Sequence, residues 1–354
     1  VTTYTYGEAL FRDMLAAIRS AERTVYFETF IWKDDEWGQV IKDALVDAAR
    51  RGVQVHVVYD GFANVVVPRS FFRFPELATL HVFRFPVFRP GLLTLNPRRT
   101  GREHRKLLVV DGMTGFMGGF NVGSVYQSTW RDTHVRLQGP EAWELEKACT
   151  AFWNDHRGRQ DPTAPADAAK VWEPRIRAAQ NAPDRLQFPV RDLYMDAIDR
   201  ARSHIYLTQG YFIPDRVILD SILAAARRGT EVRILLPESS NHVVADWIAR
   251  SYWSDLLGAG VRLFLFRGAM VHAKTATADG RWTTVGTANI DRMSLMGNFE
   301  INLVLLDDEL AATMEDLFEL DMTNARELTL EEWDGRGRLA RAGEQALRPL
   351  RLLL

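Results

Sequence analysis

One extended pattern occurs twice in this chain, and the duplication constrains its fold more than any other feature. His104-Arg105-Lys106 is followed by Asp111, Gly118 and Asn121. His272-Ala273-Lys274 is followed by Asp279, Gly286 and Asn289, every landmark displaced by the same 168 residues. Six lysines stand among 44 basic residues, so two of them at one motif position is a selective placement.

The repeat reaches beyond the motif. Ala17-Ile18-Arg19-Ser20-Ala21 before Val25-Tyr26-Phe27 is answered by Ala197-Ile198-Asp199-Arg200-Ala201 before Ile205-Tyr206-Leu207. Ala48-Ala49-Arg50-Arg51-Gly52 recurs letter for letter as residues 225–229. Preserved order with drifting offsets describes two halves of one fold with insertions between elements. Leu10, Met14, Ala17 and Ile18 predict a helix over 7–20, and Val40, Ile41, Ala44, Leu45 and Ala48 another, closing at Gly52. Strands are expected over 24–32 and 53–59, and again over 205–212 and 231–236 around a helix at 216–228. Strands alternating with helices of this length predict an α/β class with parallel pairing. The divisions fall at 1–160 and 186–334. Between them lies a proline-rich linker, 161–185, with a short helix expected around 167–180. A basic amphipathic tail, 335–354, closes the chain.

With 354 residues and 47% hydrophobic side chains the chain can bury a full core. A net charge of −2 excludes a general polyanion-binding surface, so nucleic acid is not expected as a partner. Cys149 stands alone, which excludes an internal disulfide. No window holds the twenty apolar residues of a membrane span. Opening on Val1 rather than Met leaves room for an upstream membrane or targeting segment.

The motif suits phosphodiester chemistry. In a strand His104 and Lys106 face one side, and the turn pairs Asp111-Gly112 and Asp279-Gly280 predict hairpins that return Asn121 opposite His104 and Asn289 opposite His272. Two halves face to face would present two imidazoles, two ammoniums and two amides. One histidine can attack phosphorus and the other act as acid, then base, while Lys106, Lys274, Asn121 and Asn289 neutralise the equatorial oxygens. Asp111 and Asp279 sit at turns, where they read as structural. Asp132 and Glu300, each 28 residues after its histidine, are the candidates to accept an imidazole Nδ1–H. Glu28 is a weaker candidate, and Thr208 gives it no acidic counterpart. The other histidines read as surface or core, with His134 pointing away and His242 undecided. Motif histidines beside lysines make a poor metal site, so neither metal nor cofactor is expected. The unmatched insert from Phe62 to Arg102, with Phe71-Phe72-Arg73-Phe74 and Phe83-Arg84-Phe85-Pro86-Val87-Phe88-Arg89, admits two readings. It is a partly buried loop with a strand near residue 81, or a lipid-facing rim.

These residues resemble the phospholipase D superfamily, and within it the bacterial cardiolipin synthases. The likeness is carried by His104 to Tyr126, Trp130 to Val135, Gly210 to Asp215, Val271 to Asp291 and Asn298 to Asn302. It implies two repeated domains, each a mixed, mostly parallel sheet flanked by helices, related by a pseudo-two-fold axis around one shared active site. It implies His104, Lys106, Asp111, His272, Lys274 and Asp279 as the catalytic set. A covalent phosphohistidine would form on His104, with His272 as acid. Phospholipid, phosphatidylglycerol above all, becomes the expected substrate. The expected location is peripheral to the bacterial cytoplasmic membrane, at an anionic surface. Water as acceptor, giving a hydrolytic phospholipase D, and a phosphodiesterase acting on nucleic acid are the alternatives.

Overall fold

The repeated Ala-Ala-Arg-Arg-Gly segment shows how the sequence builds each half. Gly52 and Gly229 take left-handed φ values of 96° and 91°, which end the helices Glu36–Arg50 and Arg216–Arg227. The arginines before them do a shared task. Arg51 donates to the carbonyls of Ile18 and Ala21, and Arg228 to those of Ile198, Asp199 and Ala201. Each guanidinium thereby satisfies the open end of the neighbouring helix, Gly7–Ser20 or Pro189–Arg200. At the other ends, Asp35 accepts from Gly38 N–H and Asp215 from Val217 and Ile218 N–H as N-caps.

The computed structural model describes residues 1–88, 101–165, 173 and 175–337. The strands of the first half are β1 Thr2–Tyr4, β2 Thr24–Thr29, β3 Gln54–Asp60, β4 Leu80–Phe85, β5 Leu107–Val110, β6 Thr114–Gly118 and β7 His134–Gln138. They form one sheet in the order β1-β7-β6-β5-β2-β3-β4. In the second half lie β8 Ile176–Gln180, β9 His204–Gln209, β10 Phe212–Ile213, β11 Glu231–Pro237, β12 Arg262–Phe266 and β13 Lys274–Ala278. They are followed by β14 Trp282–Gly286, β15 Ile290–Asp291, β16 Ile301–Leu306 and β17 Ala325–Leu328. Eight of these form the sheet β17-β12-β11-β9-β13-β14-β16-β8, and β10 pairs with β15 separately.

The α/β class and the duplication are as expected, but the sheets are mixed rather than mostly parallel. Within the two large sheets parallel pairing is confined to β2-β3-β4 and β9-β11-β12, the strands joined through helices or the insert; the short β10-β15 pair is parallel as well. Both motif hairpins, β5-β6 and β13-β14, and the strands after them pair antiparallel. A hairpin needs only a short turn, so every strand it adds reverses direction.

Two other expectations change. The segment Ile176–Gln180, expected within a helix, is the edge strand β8 against β16; residues 166–172 and 174 lie outside the described residues. Most of the basic tail, 338–354, lies outside them as well. The aromatic insert divides. Phe71 and Phe85 are buried, Phe71 against Trp32, whereas Phe62 and Phe88 are exposed.

Each half has an outer core under its helices, one around Leu10, Ile41 and Val55, the other around Ile198, Ile222 and Ile234. A third core joins the halves. Leu107, Met117, Val135 and Phe152 of the first pack with Val285, Phe299, Ile301 and Leu303 of the second. That interface brings the two motifs together.

Candidate active site

Both motif turns are three residues long. Asp111 and Gly112 have φ values of 53° and 65°, Asp279 and Gly280 of 52° and 65°. Asp111 accepts from the backbone N–H groups of Glu22, Arg23 and Thr24, and Asp279 from those of Arg202, Ser203 and His204. These carboxylates tie each hairpin tip to the preceding helix–strand turn and are not brought to the histidines.

A three-residue turn, one shorter than Asn121 opposite His104 requires, shifts the expected register by one. Leu107 faces Met117 and Thr275 faces Val285. The histidines have already left those ladders for the other half. Glu103 bridges Phe299, and His104 N–H donates to the Phe299 carbonyl at 3.1 Å. Symmetrically, Arg131 bridges Val271, and His272 N–H donates to the Arg131 carbonyl at 2.7 Å.

This crossing decides the carboxylate pairing. His104 Nδ1–H donates to both oxygens of Glu300 at 2.9 Å, and His272 Nδ1–H donates to Asp132 Oδ2 at 2.7 Å. Each acid serves the histidine of the opposite half, not the one 28 residues before it. Glu300 also accepts from Thr287 Oγ1 at 2.6 Å and from Asn298. At the position matching Thr287 stands Gly119, where an added Cβ would lie 2.0 Å from Asp132 Oδ1. The motif therefore reads Gly-Thr where a hydroxyl supports the acid and Gly-Gly where the acid fills that space.

Lys106 and Lys274 are buried, and each ammonium donates to the carbonyl of its own motif histidine. Aromatic rings hold the imidazoles edge-on: Phe30 lies 4.6 Å from His104, and Trp130 lies 4.9 Å from His272. Asn121 and Asn289 are buried; Asn121 Oδ1 accepts from Ile31 N–H. Burial and the two ammoniums hold His104 well below the usual imidazole range. Burial and Lys274 bring His272 down to about 3. Burial, with help from Lys274 and against the pull of Glu300, depresses Lys106 to about 7; burial against the pull of Asp132 brings Lys274 to about 8. Glu300 is raised to about 7 by burial. Asp132 stays below its usual value, because His272 and Lys274 outweigh its burial. Burial thus disfavours positive charge on these imidazoles and ammoniums, and a phosphate anion among them would favour their charged forms.

Several contributors lie in the stretches that carry the likeness but are given no role by the sequence. Arg131 makes a two-point ion pair with Asp321 of the other half, at 2.9 and 2.6 Å, and so anchors the segment bearing Asp132. Asp291, raised to about 7 by burial, and Tyr211 line the cavity of about 930 Å³ that opens onto His104 and Asn289. His242 stands at its mouth. Glu28 lies apart from the site, buried with Arg105 at 2.6 Å and raised to about 8 by burial. His134 is buried beside Gly118, outside the paired set.

Two duplicated α/β halves closing on a pair of carboxylate-held histidines and two lysines define an enzyme of the phospholipase D superfamily. Residues 14–153 and 194–322 match the family described as "Cardiolipin synthase, PLD-like domain", and the chain belongs to that family. It is 34% identical to the major cardiolipin synthase of Bacillus subtilis strain 168, with 94% of this chain and 71% of that protein covered. It is 33% identical to the cardiolipin synthase of Staphylococcus aureus strain Mu50, covering 92% and 68%. Among solved structures, phosphatidylserine synthase of Haemophilus influenzae shares the fold with a TM-score of 0.75 at 14% identity, over 99% of this chain and 92% of that one.

Proposed function

We propose that the chain is a phosphatidyltransferase of the cardiolipin synthase type, acting on phospholipid phosphodiester bonds. The observation that supports it most is the pair of imidazoles whose Nδ1 atoms are both held by carboxylates of the opposite half. This leaves Nε2 of each as the reactive atom.

In this reading His104 Nε2 attacks phosphorus of one phospholipid, forming a phosphorus–nitrogen bond. The headgroup oxygen departs with a proton from His272 Nε2. His272 then takes the proton of the incoming hydroxyl as that oxygen attacks phosphorus, and the bond to His104 breaks. Lys106, Lys274, Asn121 and Asn289 neutralise the equatorial oxygens throughout. The low value of His272 comes from burial and from Lys274. A bound phosphodiester places negative charge against it and favours the imidazolium that the first step needs. With phosphatidylglycerol as donor and acceptor, the products are cardiolipin and glycerol. The relatives named cardiolipin synthase support the lipid acceptor.

Incubation with labelled phosphatidylglycerol, followed by lipid separation, tests this. Cardiolipin with equimolar glycerol is expected. Phosphatidic acid would make water the acceptor, and unchanged lipid would overturn the reading.

A further inference from the structure

Sixteen large apolar side chains are strongly exposed among the described residues, and seven of them ring a single opening. Phe62, Val65 and Val66 lie on the loop after β3, and Phe88 follows β4. Val243 and Val244 open the helix Val243–Arg250, and Met293 lies in the helix Arg292–Met296. Five of the seven line the cavity that ends on His104, and Val66 and Val243 are chain neighbours of those five. Both halves contribute, as they do to the catalytic pair.

The exposure is built in. Asp60 accepts from Phe62 and Ala63 N–H, so the loop leaves β3 in a fixed turn. Asn64 donates to the carbonyls of Phe30 and Asp60 and accepts from Trp32 N–H at 2.8 Å. Val67 and Phe71 are buried. These anchors hold the tip Val65-Val66 outward, with Val66 78% exposed. Across the mouth, Asp246 accepts from Ser240 N–H and Asn241 from the Tyr211 hydroxyl, which fixes the helix start that presents Val243 at 69% exposure. The cavity between is polar at its floor, with His104, Asn289 and Asp291, and apolar along its walls, with Phe30, Ile213 and Val244. That gradient matches a molecule with an ionic head and hydrocarbon tails, entering head first.

We propose that this rim is a bilayer-docking surface: the Val65-Val66 tip and the Val243-Val244 helix start enter the interface together and seat the cavity mouth on the lipid layer. The inference rests on the phospholipid reading of the site. Apolar insertion is not screened by salt, whereas attraction between surface charges is. No helix among the described residues is long and apolar enough to cross a membrane.

The test uses a Val66→Asp, Val243→Asp double variant, whose residues lie outside the cavity lining. Flotation with vesicles of phosphatidylcholine and phosphatidylglycerol measures binding, and hydrolysis or transfer with a short-chain, micelle-free phosphatidylglycerol measures the site. We expect wild-type binding to persist at about 1 M salt, where screening acts within about 3 Å. Binding of the variant should fall at least tenfold with soluble turnover unchanged. Equal flotation of the two proteins, or wild-type binding lost in salt, overturns the proposal. So does a wild-type dimer that the substitutions separate, because the rim would then serve a second copy. Absence of wild-type turnover on the soluble lipid would instead refute the phospholipid reading, since flotation reports the rim independently.

Discussion

Glu300 of the second half and His104 of the first meet through two 2.9 Å contacts, although 196 residues separate them. The reciprocal pair, Asp132 with His272, is closer at 2.7 Å. Each histidine is therefore oriented by the half that does not carry it.

Glu300→Gln should slow formation of the covalent adduct by up to roughly 10⁴-fold, the cost of the same acid-to-amide change behind the working imidazole of a serine–histidine–aspartate triad. Asp132→Asn should slow turnover of natural lipids similarly but matter much less for a substrate with a good leaving group, which needs no acid. Rapid-quench measurement of adduct formation with such a substrate checks the pair. The opposite pattern would exchange the roles of His104 and His272.

His104→Ala and His272→Ala should each lower turnover by roughly 10³-fold or more, because neither step has a substitute nucleophile or acid nearby. Circular dichroism and thermal melting should show a folded protein in both cases. Near-normal turnover in either one would refute a site shared between the halves.

Lys274→Met should stabilise the ligand-free protein while abolishing activity. Its ammonium is depressed from 10.5 to about 8, chiefly by burial, so the unfolded chain binds a proton there that the folded chain releases more readily. Wild-type stability therefore gains about 3 kcal/mol from this group as pH rises from 8 to 10.5. The advantage of the variant should be largest below pH 8 and shrink by that amount across the window, measured by urea denaturation. Over the same range wild-type affinity for phosphate or vanadate should fall, since the bound anion needs the charged lysine.

Asp111→Asn and Asp279→Asn should spare catalysis. Each aspartate holds three backbone N–H groups at a hairpin tip. Losing the charge should cost about 1–2 kcal/mol of stability. Differential scanning calorimetry should show lower melting temperatures, with turnover per folded molecule retained. A loss of turnover without destabilisation would place these carboxylates in the chemistry after all.

The sequence made the duplication, the helices and the two histidines legible because these rest on local pattern and exact repetition. The motif hairpins were legible from their turn pairs, but the antiparallel majority was hidden, since nothing local says that β13 pairs with β9 or β14 with β16. The one-residue error in register came from turn length: Asp111, Gly112 and Met113 make a three-residue turn, whereas Asn121 opposite His104 needs four. Most consequential was the pairing of Glu300 and Asp132. Equal spacing from each histidine says that the halves match, but not that they exchange partners. Only the docked arrangement brings Phe299 beside Glu103 and Arg131 beside Val271. Arg131–Asp321 escaped for the same reason: an ion pair between distant segments leaves no periodicity.

The crossed bridges also make catalysis a readout of assembly. A half folded alone would hold a histidine with no acid behind it and an acid with no histidine to orient. Competence appears when Phe299 and Arg131 reach across the interface, so the incomplete chain is chemically silent. Two damaged molecules, one lacking His104 and the other His272, could restore a working centre only by exchanging entire halves.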